Sequence, residues 1–190
     1  MTKPVARTSL THPILIATLQ VGDGKIGITF CPGKKQSDAM TGAWDRDLRM
    51  DLETIREWGA NDVVSLIEAH EITGLGVEGL PRIANELGLR WHHLPIIDQC
   101  APDRSFESLW RTTRPGLVNT LRAGGGVLVH CKGGLGRAGT VAAMLLLDCE
   151  TAATAANAIA RVRDVRPGAV ETYQQELYLN TWASQRRDPP

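Results

Sequence analysis

Apolar positions along the chain follow two rhythms that alternate from start to end. Ile14–Leu19 and Ile26–Phe30 flank a Gly22-Asp-Gly24 turn and predict a β-hairpin. Leu48, Leu52, Ile55 and Trp58 recur on one helical face that stops at Gly59. Asp62–Ile67 reads as a short buried strand. Leu80, Ile83, Ala84 and Leu87 mark a helix with Pro81 in its first turn and Gly88 past its end. Trp91–Ile97 reads as a strand running into a loop with Pro102. Ser105 is placed to cap a helix holding Phe106, Leu109 and Trp110, continuing after Pro115 through Leu117 and Leu121 until Gly124-Gly-Gly126. Val127-Leu-Val129 is too short for anything but the centre of a sheet. Helices are predicted over about 138–149, 152–163 and, after Arg166-Pro-Gly168, 171–185. Strands that alternate with helices predict an α/β fold: a mainly parallel central sheet flanked by helices, with an N-terminal β-hairpin.

Composition narrows the classes. The chain has 190 residues, 21 Lys+Arg against 21 Asp+Glu, and 43% hydrophobic residues. That suits a single domain over 13–185, with loose ends at 1–12 and 186–190. Zero net charge argues against a nucleic-acid binder, which needs a basic surface. The longest apolar runs, Ile14–Leu19 and Val141–Leu147, fall short of the roughly 20 residues that cross a bilayer. Lys3 and Arg7 ahead of an apolar run resemble a secretory signal only loosely, because no small-residue cleavage pattern follows. Cys31, Cys100, Cys131 and Cys149 lack paired spacing, so reduced thiols and a cytoplasmic setting are expected. The histidines form no ligand spacing, so neither metal nor cofactor is expected.

The chemistry concentrates in Val127-Leu-Val-His-Cys-Lys-Gly-Gly-Leu-Gly-Arg-Ala-Gly-Thr140. A strand ends at His130, a Gly-rich loop follows, and a helix begins. Loops at the carboxyl ends of parallel strands are where α/β proteins bind ligands. Backbone N–H groups in such a loop, with a helix N-terminus behind them, cradle an anion. Gly133, Gly134 and Gly136 let the backbone curl inward. A thiol at such a site, here Cys131, has its thiolate favoured and is oxidation-sensitive. Arg137 carries a planar fork that matches two phosphoryl oxygens. A nucleophile beneath a bound tetrahedral dianion suits in-line displacement at phosphorus.

Two rival motifs overlap this stretch. Gly134-Leu-Gly-Arg-Ala-Gly139 is a literal GxGxxG, but a dinucleotide site wants an acidic residue at the end of the next strand, and position 154 is Thr within an Ala-rich helix. The nucleoside-triphosphate loop lacks its Gly-Lys-Ser/Thr.

HCKGGLGRAGT resembles the HCxxGxxR signature of Cys-dependent protein tyrosine and dual-specificity phosphatases. Within that family the likeness is to the cyclin-dependent-kinase-associated phosphatases and their bacterial relatives. It spans about 26–182 and draws also on Phe30-Cys-Pro-Gly-Lys-Lys35, His92–Asp98 and Arg166–Gln175. The resemblance implies a dual-specificity-phosphatase-like fold. It implies that Cys131 attacks phosphorus to form a phosphocysteine, that Arg137 stabilises the transferring group, and that His130 tunes the thiolate. Lys132, Gly133, Gly134, Leu135 and Gly136 would hold the phosphoryl oxygens, and phosphate, sulfate or vanadate would bind there. A loop Asp followed four residues later by Pro acts as acid and then base in the family. Asp98 and Pro102 match it, and Asp103 is the competitor. Gln175 matches a glutamine that positions the attacking water, with Gln174 adjacent and Glu171 where a second Gln often sits.

Two positions depart from the family. Ala138 stands where a Ser or Thr hydroxyl usually helps the thiolate leave, and Thr140 lies two residues beyond. Lys132 resembles a loop residue of phosphoinositide phosphatases, although Leu135 stands where their second Lys sits; its other reading is a solvent-facing Lys. The expected activity is hydrolysis of phosphotyrosine and of phosphoserine or phosphothreonine in a protein or peptide. The alternatives are a phosphoinositide or small-ester phosphatase, a catalytically weak phosphoprotein-binding module, and a rhodanese-type sulfurtransferase.

Overall fold

The computed structural model describes residues 6–39 and 42–187. Strands β1 (Ala17–Val21) and β2 (Gly24–Phe30) form an antiparallel hairpin. β3 (Lys35–Gln36) and β4 (Trp44–Asp45) make a two-stranded ribbon. Then come α1 (Leu48–Trp58), β5 (Ala60–Ser65), α2 (Ala69–Gly74), α3 (Leu80–Glu86), β6 (Arg90–His93), α4 (Arg104–Arg122), β7 (Gly126–Cys131), α5 (Gly136–Asp148), α6 (Ala155–Val165) and α7 (Tyr173–Arg187). The main sheet has the order β1-β2-β7-β5-β6, and every pair except the hairpin is parallel.

Strand periodicity sorts the core into two layers. Val127 and Val129 of β7 and Val64 of β5 face one side, where they pack with Phe106, Trp110 and Leu121 of α4 and with α5. Leu128 and Val63 face the other, against Leu52 and Ile55 of α1 and Ile83 of α3. Every residue of β7 and of α5 is buried, so this strand–loop–helix unit is the centre of the molecule. That double cover explains why β7 carries no alternation and reads as a plain apolar run.

Several boundaries differ from expectation for local reasons. Asp103, not Ser105, caps α4: its Oδ1 accepts the Phe106 N–H at 2.8 Å. α4 runs unbroken through Pro115, and Arg111, whose carbonyl loses its partner there, is exposed to water. β7 extends through His130 and Cys131 because both keep their ladder positions opposite Thr29 and Phe30. Gly59 ends α1 in the left-handed region at φ 100, as its place in the pattern required. The short α2 and the β3–β4 ribbon carried no sequence period. Within the stretch expected to be loose at 1–12, residues 7–12 are tied down. The Arg7 N–H bonds Ala43 O at 2.9 Å, buried Ser9 accepts the Asp47 N–H at 2.9 Å, and His12 O accepts from Arg46 at 2.7 Å. At the other end α7 continues to Arg187, since the nearest proline, Pro189, lies beyond it. The rest of both expectations, at 1–5 and 188–190, lies outside the described residues.

Candidate active site

The carboxyl ends of β2, β7, β5 and β6 converge on one edge, as parallel order requires. Cys131 is the last residue of β7 and is 4% exposed. Its Sγ accepts the Gly134 N–H at 3.2 Å, so the loop curls back over the sulfur. Gly134 sits at φ 71, and a Cβ there would collide with the backbone of Thr29 and Phe30. Only glycine satisfies both demands at that point. α5 then starts at Gly136, and its N-cap residue Leu135 supplies no side-chain hydrogen bond.

Arg137 follows in the first turn of α5 and is 2% exposed. Its guanidinium meets the Glu71 carboxylate in a two-pronged pair at 2.6 and 2.9 Å. Nη1 also donates to Ile96 O at 3.1 Å, and Nη2 lies 2.8 Å from Asp98 Oδ1. Burial disfavours the Arg137 charge, but the Glu71 hydrogen bonds and the surrounding negative charges outweigh it and hold the group more firmly protonated. Burial likewise raises the Glu71 carboxyl, yet the Arg137 bonds and the Glu68 N–H bring it below its ordinary range.

Asp98 and Asp103 are distinguished by what they touch. Asp98 is half-exposed at the rim and faces the Arg137 guanidinium. Asp103 is committed to the α4 cap. His130 lies behind the sulfur, fully buried. Its Nε2 is 2.6 Å from Ser65 Oγ, which accepts the Trp91 indole N–H at 2.8 Å. Desolvation, reinforced by the charges of Arg137 and His93, lowers the imidazole to about 4, so it is neutral near pH 7.

The remaining expected positions are placed as follows. Lys132 is half-buried and lines a hollow of about 260 Å³ with Gln36, Asp38, His70 and Asp98. Thr140 is buried and donates its hydroxyl to Gly136 O at 2.8 Å, within its own helix. Gln175 is buried and accepts the Glu171 and Thr172 N–H groups, while its amide donates to Cys100 O at 3.1 Å. It thereby ties α7 to the loop that carries Asp98. Gln174 points to the exposed side of α7.

Sequence reasoning missed two partners, Glu71 and Arg166, and placed Glu171 only as a substitute for a family glutamine, not as a contact of the loop. Glu71 anchors Arg137 across 66 residues of chain. Arg166 reaches the carbonyls of Gly133 and Gly134. The Glu171 carboxylate accepts the Gly136 N–H at 2.7 Å, at the rim of the anion cradle. Its neighbour Val170 is a β-branched residue at φ 57, whose carbonyl accepts from Arg163 at 2.9 Å. Such a conformation costs on the order of 1–3 kcal/mol and clusters at functional sites. Only Glu71 left a local trace, as the residue three past Glu68 in a capping-box pattern. A dinucleotide has no place here: Thr154 caps α6, and no strand follows α5 among the described residues.

Residues 45–179 match the family model described as a Swiss Army Knife protein, DSP-PTPase phosphatase domain. The chain is 33% identical over 156 residues to cyclin-dependent kinase inhibitor 3 of Rattus norvegicus, covering 82% of this chain and 70% of that protein. Its fold superimposes on the crystal structure of kinase-associated phosphatase bearing serine at its catalytic-site cysteine, with TM-score 0.80 and 28% identity over 94% of this chain and 99% of the other. It is similar also to Tk-PTP in the active form, with TM-score 0.67 and 27% identity over 89% and 97% of the two chains. Among the described residues, no helix is long and apolar enough to cross a membrane.

Proposed function

The chain belongs to the dual-specificity and protein tyrosine phosphatase domain family, and on that premise we propose that it hydrolyses phosphotyrosine, and phosphoserine or phosphothreonine, in proteins through a phosphocysteine on Cys131. One observation carries the reading. The Cys131 sulfur lies under a loop whose N–H turns onto it, and the Arg137 guanidinium is held beside that loop with Asp98 at its edge.

The chemistry proceeds in two displacements. The Cys131 thiolate attacks phosphorus while loop N–H groups and Arg137 hold the equatorial oxygens. The Sγ–P bond forms as the ester P–O bond breaks. An incoming dianion competes for Arg137 Nη2, which frees Asp98 Oδ1 to carry the proton that the leaving oxygen takes. In the second step Asp98 accepts a proton from water, the water oxygen bonds phosphorus, and the sulfur departs with its electron pair. Ala138 offers no hydroxyl to the departing thiolate, and the Thr140 hydroxyl is turned onto Gly136 O. Hydrolysis of the phosphocysteine is therefore the slow step. A protein substrate is supported by the description of the solved relative as a kinase-associated phosphatase.

The test is hydrolysis of an aryl phosphate, inhibited by vanadate and abolished in Cys131→Ser. Full activity in that variant overturns the reading. The hollow beside Lys132 favours a second reading, a phosphoinositide or other small phosphate ester, because it places a cation next to the loop. Assays on phosphopeptides and inositol phosphates in parallel decide between them, and Lys132→Ala selectively lowers inositol-phosphate hydrolysis only under the second.

A further inference from the structure

Gly133 and Gly134 carry no side chain, so nothing of their own holds the two peptide planes that follow them. Those planes decide whether the loop presents N–H groups or carbonyls to an anion. The geometry points to Arg166 as a positioning residue that clamps both carbonyls outward and so keeps the loop N–H groups aimed at the sulfur and the oxyanion above it.

The placement follows from the chain. Pro167 disfavours the helical region for the residue before it, and Arg166 leaves α6 at φ −134, ψ 80. Its N–H still bonds Val162 O at 2.8 Å, and its carbonyl accepts the Ala169 N–H at 3.0 Å. With its backbone held on both sides, the side chain crosses to the loop. Nε donates to Gly134 O at 2.9 Å and Nη2 to Gly133 O at 3.1 Å. Carboxylates claim Arg163 and Arg137, whereas the Arg166 fork serves two carbonyls. A trans peptide sets its C=O and N–H in opposite directions, and no cis bond occurs among the described residues. Anchoring Gly133 O therefore turns the Gly134 N–H inward, where it donates to Cys131 Sγ at 3.2 Å. Anchoring Gly134 O does the same for the Leu135 N–H. This role rests on the phosphatase reading above, but the geometry of the clamp does not depend on turnover.

The experiment uses the full chain with Arg166→Ala and Arg166→Lys. It reads vanadate affinity, kcat and KM on an aryl phosphate, and the rate of Cys131 alkylation at neutral pH followed by peptide mass spectrometry. Thermal unfolding controls for the fold. In Arg166→Ala, vanadate affinity and kcat are expected to fall about tenfold to hundredfold, the scale for misplacing a reacting centre from outside it. Cys131 alkylation slows in parallel. Arg166→Lys, a point charge without the planar fork, recovers only part of the loss. Should Arg166→Ala fail to fold, Arg166→Gln carries the same test. Vanadate affinity and alkylation rate both within about twofold of wild type overturn the role. Full recovery in Arg166→Lys also overturns it, since charge alone would then suffice. If the wild type hydrolyses no phosphoester, the functional reading fails, while the alkylation rates still report on the clamp.

Discussion

Glu71→Ala removes the side chain that holds Arg137. The pair is 2% and 6% exposed, so deleting the carboxylate leaves a buried guanidinium with less compensation. Orphaning one partner of a buried pair costs on the order of 3–5 kcal/mol. Arg137 keeps the Asp98 carboxylate at 2.8 Å and Ile96 O at 3.1 Å, which places the expected loss at the low end, about 3 kcal/mol. Because the folded-state Glu71 carboxyl is depressed, its contribution is fully present above the unfolded value of about 4.3 and fades as pH falls below it. Urea unfolding at neutral and acid pH reads this directly: the gap between wild type and variant is wide at pH 7 and closes in acid. A guanidinium free to swing also stabilises the transition state less well, and kcat/KM on an aryl phosphate should drop about hundredfold. Glu71→Gln keeps the shape and one acceptor, so it should lose less stability than Glu71→Ala while still losing rate. A Glu71→Ala protein with wild-type stability at pH 7 and unchanged kcat/KM refutes this reasoning.

The other expectations concern neighbouring groups. His130 titrates near 4 when folded against about 6.5 when unfolded, so the unfolded chain binds more protons between those values; stability should fall by up to about 3 kcal/mol as pH drops from 7 to 4, and His130→Gln should flatten that slope in denaturation curves. Asp98→Ala should lower kcat about a hundredfold or more with little change in unfolding, whereas Asp103→Ala should cost about 1 kcal/mol through its lost cap and leave kcat intact; the reverse pattern would transfer the acid role to Asp103. Glu171→Gln removes a negative charge beside Gly136 and should tighten phosphate and vanadate inhibition several-fold, and weaker inhibition would contradict that placement.

The centre of the site was legible because it is local. The apolar run at 127–129, the glycines and the Cys131–Arg137 spacing lie within one strand–loop–helix unit, where period and turn chemistry speak together. Asp98 was singled out only through the resemblance, by its spacing to Pro102; the strand expected over Trp91–Ile97 stops at His93, so no strand end marks it. Glu71 and Arg166 were not legible, because each reaches the loop across a long stretch of chain through tertiary packing, which no local pattern encodes. Ser105 and Asp103 illustrate a finer limit. Both are good caps two residues apart, and only the backbone turn at Asp103 decides which one bonds Phe106. Residues 7–12 looked loose for lack of a period, yet Ser9 exchanges two hydrogen bonds with Asp47 and Arg7 bonds Ala43 and Asp45 through its backbone, contacts that need no period at all.

Rapid acid quench of the wild type during aryl phosphate turnover, followed by intact-protein and peptide mass spectrometry, tests the chemistry at its source. A single added phosphoryl group on Cys131, accumulating before steady state and absent in Cys131→Ser, is expected. Turnover with no phosphorylated enzyme, or with the phosphoryl group on another residue, would contradict it.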